Sequence, residues 1–71
     1  MDNKAALTVL TQMRDTAQID TASLESKLAY ENAEFEKDPD PLTARIIELT
    51  AAKVTRRRLE AEALAVAVAK F

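Results

Sequence analysis

The sequence predicts an all-α fold, an antiparallel hairpin of two long helices. The chain contains no glycine, its only two prolines stand close together at Pro39 and Pro41, and on either side of them apolar residues return every three or four positions. Glycine and proline are the residues that interrupt helices, so two long stretches without them are free to be helical throughout. Apolar residues at three- and four-residue steps line one side of a helix and give it a face to bury.

The first helix is expected over about residues 3 to 37, with Leu7, Leu10, Ala17, Leu24, Leu28 and Phe35 drawing one apolar stripe. Arg14 and Thr21 fall on that stripe and weaken its middle. The run Ile19-Asp20-Thr21-Ala22-Ser23-Leu24 reads as a second start signal, with Asp20 as N-cap and Ile19 stapled onto Leu24. Two geometries are therefore open, one continuous helix or a kink or break near residues 19–21.

Lys37-Asp38-Pro39-Asp40-Pro41 is the turn, with its centre at residues 38–41. Pro39 disfavours helical geometry at Asp38, which ends the first helix near Glu36 or Lys37. Asp40 suits the N-cap of the second helix and Pro41 its first position, where a missing N–H costs nothing. The second helix, about 41 to 70, opens with a face made of Leu42, Ile46, Ile47, Leu49 and Val54. Leu64, Val68 and Phe71 continue that face, while Leu59 and Val66 fall roughly opposite it at about 100° per residue. A helix that is apolar on two sides has one side more than a single neighbouring helix covers, which leaves the other for a different chain or a second copy.

The whole chain of 71 residues is then one hairpin domain. That length is near the lower limit, about 70–80 residues, at which a hydrophobic core alone offsets the entropy of folding. Small domains commonly add disulfides or a structural metal, but this chain has no Cys and no His. A partner remains. The same two absences remove thiolate nucleophiles, imidazole bases and zinc sites, and the lack of glycine removes phosphate-cradling loops. No enzyme activity, catalytic residue or cofactor is expected.

The two halves carry opposite charge: residues 1–38 hold four basic and eight acidic side chains, residues 39–71 six and four. Such halves attract in a hairpin. Arg56-Arg57-Arg58 is the densest charge cluster, but consecutive helical residues point about 100° apart, so the three guanidinium groups fan out instead of forming one basic face. With a net charge of −2 the chain also repels phosphate, so nucleic acid is not an expected partner. The arginines fall opposite residues 20–25, where Asp20 and Glu25 stand as counter-charges. The acidic group Glu31, Glu34, Glu36 and Asp38 has no His beside it and reads as a solvated face, not a metal site. Tyr30 lies off the stripe as an exposed singleton or an interface anchor. The start Met1-Asp2-Asn3-Lys4 lacks the pattern of a signal peptide, and Ala63–Ala69, the one continuous apolar run, is far shorter than the roughly 20 residues that span a bilayer. A cytoplasmic location is expected.

Leu24-Glu25 with Leu28, the proline turn at 38–41, and Leu59-Glu60 leading into Ala63-Leu64-Ala65-Val66-Ala67-Val68 together resemble the E-type co-chaperones of the type III secretion needle. The resemblance covers residues 24–71. It implies a helical hairpin that binds a tetratricopeptide-like, helical-repeat chaperone and helps it hold the needle subunit, a virulence component, unpolymerised. Needle subunits are themselves short hairpins with a proline-containing turn, though the arginine triplet is unexpected for them. Candidate partner-binding residues are Leu59, Leu64, Val66, Val68, Phe71, Arg57 and Tyr30. Self-association in a phage or secretion assembly is the alternative.

Overall fold

The computed structural model describes residues 3–71; Met1 and Asp2, at the start of the segment read for a leader, lie outside them. Two helices, α1 (Asn3–Lys37) and α2 (Pro41–Ala69), pack against each other along their length as an antiparallel hairpin measuring 57 × 14 × 13 Å. The turn is built as its residues require. The Asp38 N–H still bonds the Glu34 carbonyl at 3.1 Å, and then Asp40 takes an extended conformation (φ −127, ψ 129) and its carboxylate accepts from the Leu42 N–H at 2.9 Å. Pro41 follows at the first turn of α2, where its missing donor is not needed.

The hairpin has a seam in place of a globular core. On α1 the least exposed side chains include Leu7, Leu10, Arg14, Ala17, Thr21, Leu24, Leu28, Glu31 and Phe35; on α2 they include Thr43, Ile47, Thr50, Val54, Arg57, Ala61, Leu64 and Val68. Alternating three- and four-residue steps sustained over the length of both helices are the repeat of a two-stranded coiled coil. Among the described residues only Ala17, Val54 and Ala61 are buried apolar residues, joined by Thr21 and Thr50, and no large side chain is fully enclosed. One Glu31 carboxyl oxygen is buried in this seam without a hydrogen-bond partner.

The structure decides one open alternative, in favour of a continuous α1, and corrects one expectation. The helix does not break near residues 19–21: α1 is continuous, Ile19 is 69% exposed, and Thr21 turns its hydroxyl onto the Ala17 carbonyl one turn back at 2.7 Å. A threonine that satisfies its own hydroxyl in this way can lie in a seam without ending the helix. Asp20 is taken by Arg57 across the seam, so its carboxylate is not used as a cap. The correction concerns the inward face of α2. Ile47 and Val54 turn inward as expected, but Leu42 (68% exposed), Ile46 (41%) and Leu49 (49%) do not, and Thr43 and Thr50 occupy the seam beside Ile47. Burying Leu42, Ile46 and Leu49 would rotate α2 so that Lys53, Arg56 and Glu60, which continue the same line, entered the seam as well. Desolvating two cations costs more than the added apolar contact returns. Phe71, expected to extend the inward face, lies past the end of α2 and is exposed.

Candidate protein-binding surface

The arginine triplet fans out as its helical spacing dictates. Arg57 lies in the seam and bridges the two helices, its guanidinium donating to Asp20 of α1 at 2.7 Å and to Glu60 one turn along its own helix. Hydrogen bonds from Asp20 first, then Glu60, raise its pKa above the ordinary arginine value, so the charge is fixed. Arg58 pairs with Glu25 on the opposite side of the seam. Asp20 and Glu25 thus answer the arginines as the sequence implies. Arg56 lines a groove on the Arg57 side and makes no ion pair within the described residues.

Arg57 and Arg58 therefore mark two flanks. The Arg58 flank carries a shallow groove lined by Gln18, Thr21, Ala22, Glu25, Arg58, Ala61, Glu62 and Ala65, mostly small side chains with a closed ion pair among them. The other flank carries two adjoining grooves that share Arg57 and Glu60: one reaches Val9, Met13 and Leu64 toward the open end, the other reaches Lys53 and Arg56 toward the turn. In a coiled-coil pair seven-residue steps keep a residue on the same side, so Ile46 stands in line with Lys53 and Glu60, and Leu42 and Leu49 with Arg56.

A third surface is the outer ridge of α2, turned away from the seam. Leu59 (60% exposed) and Val66 (56%) stand on it two turns apart, as their position opposite the inward face requires. Of the residues proposed from sequence as partner contacts, Leu59, Val66, Tyr30 and Phe71 are exposed, while Leu64 and Val68 are half-buried in the seam and Arg57 is held by its two carboxylates. The structure does not gather the seven into one patch. Sequence reasoning missed the flank of Val9, Met13, Ile46 and Leu49; the seven-residue recurrence linking Ile46, Lys53 and Glu60 is the signal that marks it.

Among the described residues no group of three or more His, Cys, Asp or Glu side chains is arranged to hold a metal ion, and no helix is long and apolar enough to cross a membrane. Comparison with protein-family models, curated proteins and solved structures gives no match for this chain.

Proposed function

We propose that the protein is a binding module, a hairpin that acts by packing the outer ridge of α2 against another protein. One observation carries this reading: among the described residues no large side chain is fully enclosed, yet ten large apolar ones, Leu59 and Val66 among them, stand exposed. A rod that buries so little holds its own fold weakly and gains stability from whatever binds its folded form, about 2.7 kcal/mol for a partner present at a hundred times its dissociation constant.

In its specific form the reading is a cytoplasmic co-chaperone that stabilises a helical-repeat chaperone and helps keep a needle subunit unpolymerised. The hairpin shape supports it, as does the apolar ridge, which fits the helix-lined groove of a repeat protein. No catalytic residue, cofactor or metal belongs to this function. The test is co-expression with the helical-repeat chaperone and needle subunit of a type III secretion system. The parent chain co-purifies in a defined complex, whereas Leu59→Glu with Val66→Glu loses the complex and keeps the helical circular dichroism of the lone chain. A double variant that still binds, or a parent that does not, overturns the reading.

A further inference from the structure

The flank on the Arg57 side carries an ordered pattern along its length. Next to the turn stand Leu42, Ile46 and Leu49 of α2, all exposed, with Tyr30 of α1 on the same side. Lys53 and Lys27 follow, then Asp20 and Glu60 at one level, where Arg57 reaches both. Leu64, Met13 and Val9 complete the line toward the open end. Along α2 the order from turn to open end is apolar, cationic, anionic, apolar; along α1 Glu34, held by Lys37, precedes Lys27, Asp20 and Met13. Lys27, Lys53 and Arg56 make no ion pair with any described residue, while Asp20 and Glu60 share the single charge of Arg57 and keep an excess of negative charge.

We infer that this flank is an interface between two copies of the chain, stacked antiparallel as a four-helix bundle. Two identical faces meet about a two-fold axis lying in their plane, and that axis runs either along the rod or across it. An axis along the rod lays α1 on the partner's α2 at equal distance from the turn. Lys27 then meets Lys53 of the partner subunit and Asp20 meets Glu60 of the partner subunit, like on like at each step. An axis across the rod, midway between Lys53 and Glu60, lays α2 on the partner's α2 and α1 on the partner's α1. The lysine layers and the α2 layers near the turn are then complementary. Arg56 falls beside Arg57 of the partner subunit, which Asp20 and Glu60 already hold, while Met13 falls on Glu34 of the partner subunit and Val9 on Asp38 of the partner subunit. The two lysine positions meet the two carboxylate positions, Ile46 falls on Ala67 of the partner subunit, and Leu49 falls on Leu64 of the partner subunit. Opposite charges across an interface fix its register, and like charges reject the alternative.

The size agrees. In this register about residues 10–37 of α1 and 44–69 of α2 overlap, roughly 42 Å along a rod 14 Å wide, which offers about 600 Å² per chain, the lower end of standard stable interfaces. The opposite flank lacks the large exposed apolar side chains: its groove is lined by Ala22, Ala61 and Ala65 with polar and charged residues, and its Arg58 and Glu25 are already paired. The interface leaves the outer ridge of α2 uncovered, so the dimer is independent of the function proposed above and presents two such ridges.

Sedimentation equilibrium of the full chain and disulfide trapping test the inference together. The chain has no cysteine, so single variants Ile46→Cys and Ala67→Cys each introduce one thiol. The two positions lie on one helix, roughly 31 Å apart, and form a bond only between chains. The expected result is a dimer in solution, with the mixed variants cross-linking efficiently on mild oxidation and each variant alone cross-linking little. Lys27→Glu with Lys53→Glu disturbs no ion pair within the chain; it retains the helical spectrum and weakens association by about a hundredfold or more. A chain monomeric at every concentration overturns the inference, as does trapping dominated by like positions or a charge-reversed variant that associates like the parent. Leu59→Glu with Val66→Glu leaves the dimer intact, so failure of the proposed function reads separately.

Discussion

The two flanks of the hairpin are made from the same two helices and differ in what they leave unfinished. On one side Arg58 closes onto Glu25, and the groove beside them carries Ala22, Ala61, Ala65 and Glu62 but no large apolar side chain. On the other, Arg57 is shared by two carboxylates, two lysines have no partner, and leucine, isoleucine and methionine are turned to water. Exposed apolar side chains scattered singly need no explanation, but a line of them interleaved with unpaired charge marks a surface built to meet another. In so thin a molecule the seam is too narrow to fix stability alone. On the proposed dimer, it is the difference between the flanks that selects the side on which the chain associates.

The largest effect expected is at Ile46. Ile46→Glu places a charge where the partner's apolar surface belongs and removes about 3 kcal/mol of apparent stability, the linkage expected when a partner at about a hundred times its dissociation constant is lost. Ala22→Lys, of similar size and on the opposite flank, changes stability by no more than about 0.5 kcal/mol, because Glu25 and Glu62 border the same groove. Thermal melts of both variants at two protein concentrations test the contrast; equal losses would erase the distinction between the flanks.

A second variant probes the seam between them. Glu31 leaves a buried carboxyl oxygen without a partner, and Glu31→Leu replaces it with the residue type its seam position favours. The expected gain is about 1–3 kcal/mol in urea unfolding, the usual cost of an unsatisfied buried polar group. The gain should leave the dimer's trapping pattern unchanged.

The smallest effects separate the two arginines. Arg57→Ala removes the one cation between Asp20 and Glu60 and lowers the melting midpoint measurably, while Arg58→Ala, which breaks a single exposed pair, costs about 0.5 kcal/mol or less. Arg57 has its pKa raised in the folded chain, so its contribution is complete below the ordinary arginine range and fades only as pH climbs through the raised value. Across neutral pH the difference between parent and Arg57→Ala should therefore stay constant, measured by melts in buffers of increasing pH.

The elements were legible because their signals are local. Asp40 and Pro41 set the start of α2 through one side-chain hydrogen bond and one fixed φ, and Pro39 sets the end of α1 by steric restriction of its neighbour. The pairings of Arg57 with Asp20 and Arg58 with Glu25 followed from counting residues outward from the turn. The break at residues 19–21 was misleading for the opposite reason: Asp20 and Ile19 have the composition of a helix start, and only contact with α2 showed that one binds Arg57 and the other faces water.

The sequence by itself determined the two helices, the turn and its cap, the charge balance between the halves, and the absence of thiol and imidazole chemistry. Each depends on residue identity and near neighbours. Tertiary structure alone decided which side of α2 turns inward, and with it which apolar residues are left for a partner. Near the turn the more apolar line runs through Leu42, Ile46 and Leu49, yet farther along it carries Lys53 and Arg56. The line through Ile47 and Thr50 reaches Val54, Ala61 and Val68 instead, and its one cation, Arg57, is answered by Asp20 and Glu60. A rigid helix presents one line to its neighbour over its full length, so the cost of burying cations two turns away outweighs the apolar gain beside the turn.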